Sequence, residues 1–255
     1  MFVDTHAHLY HPQFDADRAD MLQRAFDAGV TKLFLPNVDG ESIARMDALA
    51  AAHPDHCFAM MGIHPCSIGE RNEEALAQVE ELLRTGRYCA VGEIGIDLYW
   101  DKTFLVQQQE AFRRQVRLAK ALDLPIAIHC RNSFAETIAI VEAENASSLR
   151  GVFHCFTGTP EEAQRIIALG DFYLGIGGVI TYPKGGLLET MQQVGAAHCV
   201  LETDAPYLAP VPFRGKRNES AYIPHIAERL ALACGTTVQH IAEVTTTNAH
   251  ALFRR

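Results

Sequence analysis

No apolar run in this chain approaches the ~20 residues that a membrane-spanning helix needs, and the first residues lack the cationic start and short apolar core of a secretory leader. A helical anchor is therefore not expected, and the cytoplasm is the expected setting. None of the seven cysteines stands in C-x-x-C spacing, and their number is odd, which argues against a disulfide framework and against a cysteine-only zinc site. They read as reduced, mostly buried thiols. No G-x-G-x-x-G follows a predicted strand, so a dinucleotide fold has no fingerprint here. Repeats, low-complexity segments and linkers are missing as well. An excess of positive charge is also lacking: 22 Lys and Arg stand against 31 Asp and Glu, for a net charge of −9. Broad nonspecific nucleic-acid binding is disfavoured, although the local RGKR at 214–217 could still recruit phosphates.

What is present is a composition of 48% hydrophobic and 21% charged residues in 255, enough for a large core and close to the length of one α/β barrel. One domain over 1–255 is expected. Short β-branched or apolar runs alternate with longer amphipathic ones, the pattern of consecutive βα units. Strands are expected near 2–6, 32–36, 57–62, 88–93, 125–129, 151–155, 172–176 and 198–203, and helices at 16–29, 104–122 and 160–170, with two more between 220 and 252. Pro160 and Glu161 suit a first helical turn, and Gly29 and Gly170 suit C-terminal stops. Eight strands without the dinucleotide signal favour an α/β fold of the (β/α)8 TIM-barrel type with additional C-terminal helices.

In such barrels the chemistry gathers at the C-terminal ends of the strands. Every conspicuous polar residue falls at such a place: His6 and His8 on the first strand, Glu93 on the fourth, His129 on the fifth, His154 on the sixth and Asp204 after the eighth. In an extended DTHAH segment Asp4, His6 and His8 share one face, with Val3, Thr5 and Ala7 opposite. The same alternation turns His129 and Arg131 to the lumen, turns Cys130 and Cys155 outward, and puts Val200, Glu202 and Asp204 together. Any one strand-end histidine is more often structural than a ligand. Four histidines and two carboxylates at one mouth need a partner, and a divalent ion such as Zn²⁺, Mn²⁺, Fe²⁺, Co²⁺ or Mg²⁺ supplies it. Two ions sharing Glu93 would activate water and clamp a phosphoryl displacement.

At DTHAHL (4–9), GIHP (62–65), VGEIGIDLYW (91–100), the segment 107–131, HCFTG (154–158), LETDAPYLAP (201–210) and PFRGKRNES (212–220), the sequence resembles the TatD-like metal-dependent deoxyribonucleases, within the amidohydrolase-like metal barrels. The resemblance implies a (β/α)8 barrel with two divalent ions, Mg²⁺, Mn²⁺ or Zn²⁺. His6, His8, Glu93 and Asp204 would hold one ion, and Glu93, His129 and His154 the other. It implies hydrolysis of DNA phosphodiester bonds, often from the 3′ end, with single strands or 3′ ends as substrate. One departure is Ser220, where family members often carry proline, and only the loop's rigidity is expected to change.

Around the ligands, Asp204 is the first candidate general base and Glu202 the second, although a carboxylate orienting a ligand imidazole explains Glu202 better, because ligating imidazoles usually donate their other N–H outward. Asp4 has similar standing. His64 could meet a phosphate oxygen or the leaving group, or be a loop histidine beside a rigid proline. Arg131 could grip phosphate bidentately or pair with a loop carboxylate. Arg214, Lys216 and Arg217 are candidates for backbone-phosphate contacts, against the plain reading of a solvated loop. Tyr99, Trp100, Phe156 and Tyr207 could stack on an unpaired base or cap the core. His11, His53, His56, His198, His225, His240 and His250 form no pattern and read as structural. Two other functions stay open: a metal-dependent amide or ester hydrolase, including aminoacyl esters, and a non-catalytic metal-binding barrel.

Overall fold

The computed structural model describes residues 1–255. Strands and helices alternate as β1 (Phe2–Asp4), α1 (Arg18–Asp27), β2 (Val30–Pro36), α2 (Ile43–Ala52), β3 (Cys57–Met60), α3 (Glu73–Arg84), β4 (Val91–Asp97) and α4 (Leu105–Leu122). The second half continues with β5 (Ile126–Arg131), α5 (Phe134–Glu144), β6 (Gly151–Phe153), α6 (Pro160–Ile167), β7 (Phe172–Ile176), α7 (Leu187–Val194), β8 (Cys199–Leu201), α8 (Ile223–Cys234) and α9 (Val238–Phe253). All strand pairs are parallel, in the runs β1-β2-β3 and β4-β5-β6-β7-β8.

Two seams close the ring. Met61 N–H donates to Ala90 O and Gly92 N–H to Met61 O, at 3.1 and 3.0 Å, while Thr5 N–H donates to Leu201 O at 3.0 Å. The result is the expected (β/α)8 barrel. Local chemistry sets the helix ends: Thr159 Oγ1 accepts from Glu162 N–H and Glu162 Oε2 accepts from Thr159 N–H, with Pro160 in the first turn of α6.

Val3, Phe34, Met60, Ala127, Val152 and Val200 fill the inside of the barrel, and Leu252 and Phe253 at the end of α9 close that cluster. Phe253 stacks on Phe34 with ring centres 3.9 Å apart. A larger apolar layer lies between strands and helices, where Ile94, Ile96, Ile126 and Ile128 meet Ala111, Phe112, Val116 and Ala119 of α4.

Three boundaries differ from the sequence expectation, and each bears on the site. β4 begins at Val91 and runs to Asp97, so Glu93 sits within a strand and not at its end. The register against β5 shifts between Val91 and Ile94, a local irregularity of the kind that re-aims a side chain. β1 stops at Asp4, and it is Val3 that faces the interior. His6 and His8 therefore reach the mouth from irregular chain beyond the strand, not by the alternation expected for DTHAH. β8 stops at Leu201 and not at residue 203, and Asp204 lies past it, as the sequence predicts, at φ +56°.

Candidate metal centre

The two oxygens of Glu93 face two different groups of donors. Oε2 lies 3.2 Å from His6 Nε2 and 3.6 Å from His8 Nε2, and Asp204 Oδ1 lies 3.7 and 3.5 Å from the same nitrogens. Oε1 lies 2.7 Å from His129 Nδ1, 2.8 Å from His154 Nε2 and 3.4 Å from His64 Nε2. Donors bonded at ~2.1 Å to a tetrahedral ion stand about 3.4 Å from one another, so the first group has the spacing of a tetrahedral coordination shell. His6 Nε2 is buried without any hydrogen-bond partner, as a nitrogen reserved for a cation would be. On chemistry and spacing these residues fit divalent metal.

Which ring nitrogen can ligate depends on what the other one does. Tyr10 Oη donates to Pro36 O, so it accepts from His8 Nδ1–H at 3.0 Å and leaves His8 Nε2 bare. Asp97 Oδ2 accepts His129 Nε2–H at 2.9 Å and leaves Nδ1 bare toward Glu93. His64 is the reverse case: its Nδ1 accepts Cys66 N–H at 3.1 Å, so the neutral ring carries its proton on Nε2, pointing into the site. That makes His64 a donor to an oxygen and not a ligand. The buried Nδ1 atoms of His6 and His154, whose rings stack at 3.9 Å, lack partners, and buried Glu202 lies within metal-binding reach of both. Glu202 Oε1 is 3.5 Å from His154 Nδ1 and also accepts Cys155 N–H. Its position behind the rings favours orientation of ligands over proton transfer from water.

The electrostatics follow from this packing. Burial alone would raise the Glu93 carboxyl, but His154, His64 and His6 hold it well below the usual carboxylate range. Burial also opposes ionisation of Asp204, and the hydrogen bond and charges of His8, His154 and His6 outweigh it and lower its pKa. Burial would lower His129, yet Asp97 and Glu93 raise it. Burial also leads the forces on His154, which Glu93 and Glu202 nevertheless push well up. His6 goes down, through burial and the neighbouring His154.

Asp4 braces the seam beneath His6. It accepts from His6 N–H at 3.3 Å, Thr203 N–H at 3.0 Å, and the Thr203 and Ser220 hydroxyls at 2.6 Å each. Burial pushes its carboxyl up to about 7 in spite of these donors. Ser220 is thus not a matter of loop rigidity alone, because its hydroxyl ties the loop after β8 to β1. Two glycines allow the approach: a Cβ on Gly95 would come 1.9 Å from His129 O, and one on Gly175 would come 2.2 Å from Glu202 Oε2.

Other expected residues separate by their partners. Arg131 makes no ion pair, which removes the loop-carboxylate alternative, and its guanidinium lies 4.0 Å above the Tyr99 ring. Arg214 stacks on Tyr182 at 4.1 Å, and Lys216 is exposed. Arg217 differs: it grips Asp17 at 2.7 and 2.8 Å, which fastens the loop to α1 and takes it out of the free cations. Cys130 and Cys155 do not point simply outward, since both line a cavity of about 440 Å³ with Ser133, His154 and Phe156. Burial raises both thiols, and neither belongs to a metal-donor group. Phe156 is buried as a cap on the core.

Tyr10 and Asp97 were missed from sequence. Each had a signal in its spacing, Tyr10 two residues past His8 and Asp97 four past Glu93 on the same strand face.

The family model described as TatD related DNase matches residues 3–254. An uncharacterized metal-dependent hydrolase, YabD, of Bacillus subtilis is 38% identical, covering 100% of this chain and 99% of its own. The 3′-5′ ssDNA/RNA exonuclease TatD of Edwardsiella piscicida is 35% identical, with 99% of each chain covered. Among solved structures, the TatD homologue YjjV of Escherichia coli superposes with a TM-score of 0.93 at 32% identity, over 100% of this chain and 98% of that one. The chain belongs to the TatD-related DNase family, and it is a metal-dependent hydrolase acting on phosphodiester bonds.

Proposed function

We propose that this centre takes two divalent ions, Mg²⁺, Mn²⁺ or Zn²⁺, bridged by Glu93, and that it shortens single-stranded DNA from the 3′ end in the cytoplasm. The observation that carries the reading is the division of Glu93, with Oε2 in one donor group and Oε1 in another. The polarity is taken from the Edwardsiella relative, which is named a 3′-5′ ssDNA/RNA exonuclease. When bound, two such ions lower the pKa of water and neutralise charge on the phosphate oxygens.

The chain's own residues supply the rest. His6, His8 and Asp204 would hold the first ion, and His129 and His154 the second, with Glu93 shared by both. Asp204 Oδ1, beside His6 and His8, takes the proton of the attacking water, and Glu202 keeps the His6 and His154 rings oriented. His64 presents Nε2–H to the departing oxygen, a role its bond from Cys66 prepares. The free edge of Arg131, with Arg214 and Lys216, holds backbone phosphates.

The test uses a 5′-end-labelled single strand after chelation and re-addition of Mg²⁺, Mn²⁺ or Zn²⁺, beside a cyclic amide and an aminoacyl ester. A ladder shortening from the 3′ end, lost on chelation and restored by metal, is expected. Turnover of the amide or aminoacyl ester without cleavage of the strand would overturn the reading.

A further inference from the structure

Tyr99 and Trp100 stand outside the donor groups and play no part in the scheme above. They are 52% and 70% exposed in a protein whose other large aromatic residues are mostly buried. Their rings meet edge to face at 4.9 Å, and the Arg131 guanidinium lies 4.0 Å from the centre of one and 5.4 Å from the other. The arrangement is held in place. Asp97 Oδ1 accepts the backbone N–H of Tyr99 at 2.9 Å and of Trp100 at 3.2 Å, while Oδ2 accepts His129 Nε2–H. Gln108 Oε1 accepts the Asp97 N–H at 2.9 Å, and Leu98 N–H donates to Arg131 O at 2.9 Å. One buried carboxylate thus joins the aromatic pair to a ligand of the proposed metal centre.

The other aromatics flanking the centre differ: Phe156 is buried, and Tyr207, 49% exposed, stands edge-on to His8 and His11 with ring centres 6.1 Å away and has no cation over its ring. Tyr99 and Trp100 are the most exposed aromatic side chains of the molecule, and they lie beside a cation with no carboxylate partner.

We propose that Tyr99, Trp100 and Arg131 form a nucleobase subsite: one unpaired base of the substrate strand stacks on the aromatic pair, and the N–H edge of Arg131 takes the adjoining phosphate. This rests on the reading of the centre as a DNA phosphodiesterase. Bases have apolar faces whatever their identity, so such a subsite tolerates sequence. A base within a duplex is already stacked and paired, so the subsite selects frayed or single-stranded ends.

Trp100 is the only tryptophan in the chain, so intrinsic emission reports on this one side chain. The test titrates the metal-loaded enzyme with a short single strand carrying uncleavable phosphorothioate linkages and a dye for anisotropy, and with an abasic strand of equal charge. The base-bearing strand is expected to quench Trp100 as it binds, and the abasic strand to bind roughly ten- to hundredfold more weakly without quenching. Trp100→Ala should weaken the base-bearing strand by a similar factor while shifting the abasic strand less than about threefold. Anisotropy that reports binding while Trp100 emission stays constant, or equal affinity for the two strands, overturns the subsite and leaves the phosphodiesterase reading standing. Failure of both strands to bind, together with no cleavage of an unmodified strand, overturns the reading itself.

Discussion

His8, His129 and His64 show how far one hydrogen bond decides what an imidazole does. Tyr10 and Asp97 accept a hydrogen bond from one N–H of His8 and of His129, and so leave the other nitrogen free for metal. Cys66 does the opposite to His64. The six residues proposed as ligands stand out in the sequence because histidines and carboxylates are rare at barrel strand ends without a cation to bind. Their protonation was not legible, since the groups that settle it sit on other strands or are reached only through the fold. Asp97→Asn offers an amide where a carboxylate now accepts, and it should weaken metal binding at His129 by roughly 10–100-fold. Isothermal titration with metal checks this: unchanged metal affinity would mean that Asp97 does not orient His129.

At the level of elements, periodicity places the helices well and the strands less well. The α4 pattern runs as expected to Leu122, because an amphipathic helix declares its ends through caps and stripes. The irregularity that turns Glu93 inward depends on pairing with β5, and no local pattern in VGEIGID announces it. The last helix was expected, but its role as a plug was not, because Phe34 lies 219 positions from Phe253 in sequence and meets it only in the barrel. Phe253→Ala should cost about 3–5 kcal/mol in urea unfolding, with the donor groups at the opposite end intact. A loss under ~1 kcal/mol would show the plug to be dispensable.

The loop fastened by Arg217 gives a pH prediction. Arg217 and Arg24 hold the Asp17 carboxyl below its ordinary range, so the folded state favours the ionised form. Its contribution is present above pH about 4, the unfolded value, and fades as the pH falls below it. Thermal melts should show wild type ahead of Asp17→Asn by a small margin at neutral pH, and the margin should close in acid. A margin that widens in acid would contradict the pairing.

For the whole molecule, a net charge of −9 and a DNA substrate are compatible only if binding is local. Composition shows the deficit of positive charge, and the fold shows which cations lack partners. Each single-strand phosphate contact adds ~0.7 to the slope of log affinity against log salt, so Arg131, Arg214 and Lys216 together predict a slope near −2. Lys216→Ala and Arg214→Ala should each flatten it by ~0.7. Arg217→Ala should leave the slope unchanged and lower the melting temperature, and a flattened slope in that variant would return Arg217 to the phosphate contacts.

The most direct measurement is the single-turnover cleavage rate of a labelled single strand by wild type and by Glu93→Gln, both loaded with the same divalent metal at matched fold stability. With Glu93 joining both donor groups, the variant should lose about a hundred- to thousandfold in rate, of the order that removal of one essential electrostatic group costs an enzyme. Equal rates in the two proteins, or a wild-type rate that survives complete chelation, would contradict the account.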